Sequence, residues 1–206
     1  MKERVIERFN ALCASDGGLA QTRDAQNIGT YNEKRLHRFL KHSFGERDFE
    51  VEIGDYVADL VCESGIIEIQ TGGFYPLVKK IEYFLRSTEY TVTVVHPLIA
   101  NLTVVRMDKD TGEVIRKKTS PKHEAPIDML CELYWLREFL GESRLKIIAP
   151  VISAEEYRFS ERVRYRKKGA YDAELFPLEM LDILDVSTVP LVCSFLPGAL
   201  FCGALP

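Results

Sequence analysis

Residues 49–71 read FEVEIGDYVADLVCESGIIEIQT, and this segment carries the clearest indication of fold class in the chain. Apolar and polar residues alternate along it, and β-branched side chains are frequent, which is typical of strands. Short turns divide it into three predicted strands, over residues 50–53, 57–62 and 66–71. Helical spacing precedes the segment (31–44) and follows it (74–86), and residues 90–96 form a further predicted strand. The predicted order is therefore α-β-β-β-α-β.

The remaining segments extend this pattern. We predict a helix over residues 3–13, a hairpin built from 102–107 and 113–117, a helix over 127–140, a strand over 145–152 and a short helix over 178–184. Together they predict an α/β fold with a mixed central sheet flanked by helices, followed by a C-terminal β/α extension.

The composition excludes several classes of protein. Apolar residues make up 46% of the 206 residues and charged residues 28%, so the chain is neither disordered, collagen-like nor a polytopic membrane protein. The formal net charge of −4 indicates no overall basicity, so a nucleic-acid partner would have to be bound by local patches. The five cysteines are scattered and form no CxxC pair, which favours reduced thiols and a cytoplasmic location.

Two acidic residues interrupt the apolar strands. Asp59 stands in the second predicted strand and Glu68 in the third, and their alternation with apolar neighbours places them on one face of the sheet. If residues 64–65 form a two-residue turn, Asp59 lies opposite Gln70 and Val61 opposite Glu68. The other face is then uniformly apolar and consists of Ala58, Leu60, Cys62, Ile67 and Ile69. This register therefore gathers the acids and completes a core face.

The acid pair allows two interpretations. Two carboxylates and a backbone carbonyl on a strand pair suit a hard cation that prefers oxygen ligands, Mg²⁺ or Mn²⁺, which can activate water for attack on a phosphodiester. Alternatively, Asp59 and Glu68 belong to a buried polar network or salt bridge. Spacing alone leaves both open.

The residues around these acids resemble a known superfamily. Asp59 followed by Glu68-Ile69-Gln70, inside the α-β-β-β-α-β order, resembles the PD-(D/E)xK nucleases and their restriction-endonuclease-like core. More narrowly, the resemblance is to an uncharacterised bacterial branch, and it extends over about residues 25–185. The sequence segments that carry this resemblance are Gly29-Thr30-Tyr31-Asn32-Glu33-Lys34, Tyr56-Val57-Ala58-Asp59, Glu68-Ile69-Gln70-Thr71, Thr119-Ser120-Pro121-Lys122, Glu132-Leu133-Tyr134 and Glu155-Glu156-Tyr157-Arg158.

This resemblance implies the roles of several residues. Asp59 and Glu68 would bind the metal together with the carbonyl oxygen of Ile69, and Glu33 would match the acid on the first helix that supports the metal site. Glu33 also occupies the capping-box position of that helix, and this second interpretation stays open.

Two positions concern the positive charge of the site. Gln70 departs from the superfamily pattern, which expects Lys there, although an amide can still orient a water. Lys79 or Lys80, on the following helix, is the candidate for the missing charge. Lys80 lies nearer the apolar flank of that helix and is the better candidate, and the alternative is an ordinary solvated lysine.

Two segments carry a local excess of positive charge. Residues 158–168 contain six basic residues against one acid, with aromatic residues between them, and residues 116–122 contain four basic residues and no acid. Such segments can bind phosphates and stack on exposed bases, or they can be solvated loops. The predicted nucleic-acid-binding residues are Arg116, Lys117, Lys118, Lys122, Arg158, Arg162, Arg164, Arg166, Lys167 and Lys168.

These observations predict a metal-dependent DNA endonuclease or exonuclease, with Mg²⁺ or Mn²⁺ as cofactor, DNA as partner and a homodimer as a possible assembly. The alternative is an inactive module of the nuclease fold that binds nucleic acid or a protein. We divide the chain into an N-terminal helix and loop (1–24), the nuclease domain (25–185) and an uncharged tail (186–206). Proline and glycine interrupt that tail, so we expect it to pack on a protein surface and not to enter a membrane.

Overall fold

The computed structural model describes residues 2–15, 35–108, 111–160 and 172–187 of the chain. Its helices are α1 (Lys2–Ser15), α2 (Arg35–Phe44), α3 (Val78–Ser87) and α4 (Leu130–Leu133), with short 3-10 helices over Tyr75–Leu77, Pro126–Met129 and Tyr134–Leu136. Its strands are β1 (Phe49–Ile53), β2 (Tyr56–Cys62), β3 (Gly65–Ile69), β4 (Val92–Val95), β5 (Leu98–Asp108), β6 (Val114–Thr119), β7 (Leu145–Ser160) and β8 (Asp172–Asp185). The protein is thus mixed α/β, and the predicted α-β-β-β-α-β order runs from α2 to β4.

The described residues form two compact units, and the acid pair lies in the unit made of residues 45–98, 124–150 and 183–187. Its strands follow the order β1-β2-β3-β4-β7. The first three strands are antiparallel neighbours, whereas β3, β4 and the first residues of β7 run parallel. The sheet is therefore mixed, as predicted.

The core of this unit lies between one face of the sheet and its helices. Ile66 of β3 and Val94 of β4 are fully buried in this core, together with Ile81 and Phe84 of α3. Because Glu68 lies two residues after Ile66, its side chain points to the same face of the sheet. Helix α3 thus covers the face that carries the acid pair.

The second unit comprises residues 2–15 and 35–44, residues 99–108 and 111–123, which contain the hairpin β5–β6, and residues 151–160 and 172–182 of β7 and β8. Its strand order is β7-β5-β6, and β8 pairs with β7. The Asn10 side chain in α1 bonds both backbone groups of Met180 in β8, accepting from its N–H (2.7 Å) and donating to its carbonyl oxygen (3.3 Å). A helix is thereby attached to a strand through amide hydrogen bonds.

The predicted helix over residues 178–184 is wrong, because this segment is part of strand β8. Leucines three residues apart, at 178, 181 and 184, produce helical spacing in the sequence. In the fold, Phe176 and Met180 are buried, while Leu178 and Leu181 are exposed. Pairing with β7 prevails over the local pattern, because strand formation depends on the neighbouring strand more than on intrinsic preference. The C-terminal extension, as far as it is described, is β and not β/α.

The predicted helix over residues 127–140 is broken into short turns. Two 3-10 helices flank the four residues of α4. Leu133 and Leu136 are three residues apart and both buried, which matches the period of a 3-10 turn. This arrangement leaves Tyr134 and Trp135 exposed between them.

Three further predictions concern the ends of the chain and the thiols. The three cysteines in the described ranges, Cys13, Cys62 and Cys131, form no disulfide bond there. None of the helices in the described ranges is both long enough and apolar enough to cross a membrane. The capping box at residues 30–33 and the tail from residue 188 onward lie outside the described residues.

Candidate functional site

The acid pair is held by two neighbouring antiparallel strands. Leu60 of β2 pairs with Ile67 of β3 in an antiparallel register. Asp59, which precedes Leu60, therefore lies opposite Glu68, which follows Ile67. The N–H of Asp59 donates to Glu68 Oε1 (3.3 Å), and the N–H of Ile69 donates to Asp59 Oδ2 (2.7 Å). Each carboxylate is thereby fixed by a backbone donor of the opposite strand.

The pairing register of β2 and β3 differs by two residues from the predicted one. Cys62 pairs with Gly65, so the turn consists of the two residues between them. Asp59 consequently lies opposite Glu68 and not opposite Gln70. A shift of two residues leaves every side chain on its predicted face, because the side-chain period of a strand is two. The acids therefore share a face, and Leu60, Ile67 and Ile69 on the other face are buried as expected.

The position of the turn follows from Gly65, which the sequence suggested as a turn residue. Gly65 is instead the first residue of β3, with a φ of +114°. A Cβ at this position would lie 2.1 Å from the carbonyl oxygen of Thr91, which also accepts a hydrogen bond from the N–H of Ile66 (2.8 Å). Glycine is needed here because the backbone at Thr91 approaches closely, and not because of the turn.

Helix α3 supplies a cation to the acid pair. Lys80 Nζ lies 2.5 Å from Glu68 Oε2, and the two side chains are 17% and 2% exposed. Lys80 directly precedes Ile81, which is fully buried in α3, and Lys80 is itself only partly exposed. Lys79, by contrast, is exposed. Of the two lysines, the structure places the predicted one at the site.

Burial controls the ionisation of Glu68. The pKa of the Glu68 carboxyl is raised to about 7, mainly because burial disfavours its charged form; the Lys80 ammonium lowers this pKa, and the negative charge of Asp59 raises it. Near neutral pH the acid pair therefore holds a proton that a bound cation would replace.

Gln70 and His96 lie beyond the ends of the parallel strands β3 and β4. The Gln70 amide donates from Nε2 to the carbonyl oxygen of Gly73 (2.5 Å), so its side chain braces the turn that follows β3. His96 Nδ1 lies 2.7 Å from the carbonyl oxygen of Gln70. A carbonyl only accepts, so Nδ1 carries the proton, and burial lowers the pKa of His96 and favours this neutral form. Sequence reasoning missed His96, whose only signal was its position at the carboxyl end of a strand.

Glu132 connects α4 to the same turn. Its Oε2 accepts a hydrogen bond from the N–H of Phe74 (2.7 Å), and Phe74 is fully buried. The resemblance included the segment Glu132-Leu133-Tyr134 without assigning Glu132 a role. In the structure its carboxylate positions the chain directly after Gly73.

The donor groups fit a hard divalent cation that retains several waters. Asp59 and Glu68 supply carboxylate oxygens, the ligands that Mg²⁺ and Mn²⁺ prefer. No group of three or more His, Cys, Asp and Glu side chains suited to a metal occurs in the described part of the chain. Glu33, the predicted third acid, lies outside that part, and the metal-binding role of the Ile69 carbonyl stays a prediction.

The basic residues of the second unit fall into two groups. Lys117 pairs with Glu155 (2.7 Å) and Arg158 with Glu156 (2.6 Å), so acids already neutralise these two cations. The other described members of the predicted set, Arg116, Lys118 and Lys122, are exposed. The remaining members lie outside the described residues, namely Arg162, Arg164, Arg166, Lys167 and Lys168.

The hairpin β5–β6 also carries an exposed basic residue that was not in the predicted set. Arg106 of β5 pairs directly with Arg116 of β6, and Lys118 lies two residues further along β6, on the same side of the hairpin. Like charges directly opposite each other are unfavourable unless an anion lies between them. Sequence reasoning missed Arg106 because it is a single basic residue in an apolar strand, and only the hairpin register brings it to the others.

The comparisons with known proteins add a family and no activity. The family model described as Domain of unknown function (DUF8091) matches residues 34–186. No curated protein and no solved structure gives a significant match. The matched range contains Asp59, Glu68 and Lys80.

Proposed function

Because the chain belongs to the DUF8091 family, whose description assigns no activity, we propose from the site itself that this protein is a metal-dependent DNA nuclease with a restriction-endonuclease-like core. The observation that carries the proposal is the acid pair: Asp59 and Glu68 face each other on adjacent strands, with the Lys80 ammonium 2.5 Å from Glu68. Two acids can hold a divalent cation, and a lysine can stabilise the charge that develops on a phosphodiester during metal-assisted hydrolysis.

Each of these groups has a distinct task. Asp59 and Glu68 would hold Mg²⁺ or Mn²⁺, and the bound ion would activate water and neutralise charge on the phosphodiester. Lys80 supplies the positive charge that the pattern expects at residue 70. Gln70, whose amide is bonded to Gly73, acts as a brace for the turn and not as a partner of the reacting phosphate.

The exposed basic hairpin supports DNA as the substrate. Arg106, Arg116 and Lys118 present three positive charges on one side of β5–β6, without an ion pair among the described residues. Phosphate oxygens would relieve the repulsion between the two facing arginines. We therefore include Arg106 in the proposed DNA-binding set.

The test is cleavage of supercoiled plasmid DNA by the purified chain with Mn²⁺ or Mg²⁺. Asp59→Asn and Glu68→Gln should each abolish cleavage, because each removes a charged ligand and keeps the shape of the side chain. Asp55→Asn and Glu63→Gln are the matched controls, since both acids are exposed in the turns that flank β2. The controls should cleave like the wild type.

Equal cleavage by wild type, site variants and controls would identify a contaminant and contradict the proposal. A second candidate function is favoured by one observation: Lys80 already neutralises Glu68 as a largely buried ion pair. In that case the protein is an inactive module of the nuclease fold that binds nucleic acid. Retained DNA binding with no cleavage in Mn²⁺ or Mg²⁺ would establish this alternative.

A further inference from the structure

Three exposed aromatic side chains cluster in the unit that carries the acid pair. Tyr75, Tyr134 and Trp135 are 67%, 59% and 41% exposed. The Tyr75 and Trp135 rings lie 4.9 Å apart, and the Tyr134 and Trp135 rings 6.0 Å apart, both edge to face. We call these three residues the aromatic platform.

The platform rests on a rigid base. Tyr75 begins the 3-10 helix that contains the buried Leu77, and Trp135 lies between the buried Leu133 and Leu136. The hydrogen bond from the Phe74 N–H to Glu132 joins the two segments (2.7 Å). The rings are therefore held in place by buried neighbours although they are themselves exposed.

The platform is also close to the acid pair along the chain. Only the turn braced by Gln70 and Gly73 separates Tyr75 from the end of β3, which carries Glu68. Tyr75 and Glu68 therefore belong to one continuous segment of this unit and are seven residues apart in the sequence.

The chemistry of the platform favours nucleobases over an apolar peptide. The exposed large hydrophobic residues of this cluster are all aromatic, and the described residues of this unit contain no exposed Leu, Ile or Met. The Arg137 guanidinium lies 4.4 Å from the centre of the Tyr134 ring, and its Nη2 lies 3.6 Å from Glu138 Oε1, so an ion-paired arginine packs beside the ring. Exposed rings with an adjacent arginine are the elements with which proteins stack single-stranded nucleic acid, because every base has a π-face.

We propose that the aromatic platform stacks unpaired bases, so that the protein acts on single-stranded or frayed DNA and not on the interior of a duplex. This inference rests on the proposed nuclease function, because it names the form of DNA on which that site would act. A closed duplex cannot offer its base faces to the rings, whereas a single strand can.

Trp135 is the only tryptophan of the chain, so it reports on the platform directly. The full-length protein is titrated with a short oligothymidylate in EDTA, where no cleavage occurs, and tryptophan fluorescence is recorded. We expect quenching by this single strand, and little quenching by an abasic oligonucleotide of the same length or by a blunt duplex. Equal quenching by the abasic strand would show that phosphates alone are bound and would overturn the proposal, as would an absence of quenching.

The variants separate stacking from folding. Tyr75→Ala should weaken binding of the oligothymidylate by about 5- to 150-fold, the loss of one stacked base, while Tyr75→Phe should restore it. Tyr90→Ala is the matched control, an exposed tyrosine outside the platform. A dimer that dissociates on Tyr75→Ala would show that the platform is a protein interface and would overturn the proposal.

Cleavage distinguishes this inference from the function on which it rests. If Asp59→Asn and wild type are equally inert while oligothymidylate still quenches Trp135, the nuclease proposal fails and base stacking stands. If wild type cleaves single-stranded and duplex DNA equally and Tyr75→Ala changes neither rate, the nuclease proposal stands and the platform proposal fails.

Discussion

Replacing Glu68 by glutamine should change how the stability of the protein depends on pH. The folded-state pKa of Glu68 is raised from 4.5 to about 7, mainly by burial. The folded protein therefore binds a proton at Glu68 that the unfolded chain has released between these pH values. As a consequence, the free energy of unfolding falls as pH rises through this window, and the loss is complete above the folded-state pKa.

The size of the effect follows from the shift. One pKa unit corresponds to about 1.4 kcal/mol, so the rise from 4.5 to about 7 predicts a loss of about 3 kcal/mol between pH 4.5 and pH 8. Glutamine does not titrate, so the Glu68→Gln variant should lack this loss. His96, whose lowered pKa acts in the opposite direction below pH 6.5, is present in both proteins and cancels in the comparison.

The assay is urea unfolding of wild type and Glu68→Gln at several pH values from 5 to 8, followed by far-UV circular dichroism. The difference in unfolding free energy between the two proteins should move by about 2–3 kcal/mol across this range. Mn²⁺ should reduce the slope of the wild type, because a bound cation keeps Glu68 ionised. Parallel pH profiles without metal would refute the assignment of a buried, proton-binding Glu68.

Three further perturbations test other contacts. Lys80→Met should lower the unfolding free energy at pH 8 by about 1–3 kcal/mol, since it leaves Glu68 without its counter-ion, and by less at pH 5, where Glu68 is protonated; Lys79→Met, at an exposed position, should be neutral in the same urea titrations. Arg106→Glu combined with Arg116→Glu should weaken DNA binding and reduce the log–log salt slope by about two, and an unchanged slope in fluorescence anisotropy would remove the hairpin from the DNA-binding surface. Gly65→Ala should cost about 1–3 kcal/mol of stability, because alanine is strained at the φ of +114°, and a melting temperature equal to that of the wild type would contradict the close approach described there.

The fold of residues 49–95 was largely predictable, because a period of two specifies faces independently of exact register. Asp59 and Glu68 share a face under the predicted register and under the observed one. The pairing register of β2 and β3 was missed because it depends on Gly65. The role of Gly65 is set by the close approach of Thr91, which is distant in sequence and leaves no local pattern. The same limit applies to residues 178–184, where pairing with β7 decides the structure.

The site was predictable to the extent that its residues interrupt a pattern. Two acids in apolar strands are conspicuous, and Lys80 follows from the helical spacing after them. His96, Arg106 and the platform residue Tyr75 interrupt nothing, so only the three-dimensional arrangement identifies them. The distance between Tyr75 and Trp135 in the sequence explains why the aromatic platform has no sequence signature.

The connectivity of the sheet also has a kinetic consequence. The hairpin β2–β3 closes through a two-residue turn, whereas β4 pairs with β7 across about fifty intervening residues, from Val92 to Leu145. Local hairpins form in about 1–10 μs, while parallel pairing over long separations is slow. We therefore expect Asp59 and Glu68 to meet while both are still hydrated. Helix α3 connects the parallel strands β3 and β4, so its docking should follow the hairpin and dehydrate Glu68 together with Lys80 or with a proton. The slow step of refolding should accordingly become slower as pH rises above 7, when the proton is no longer available.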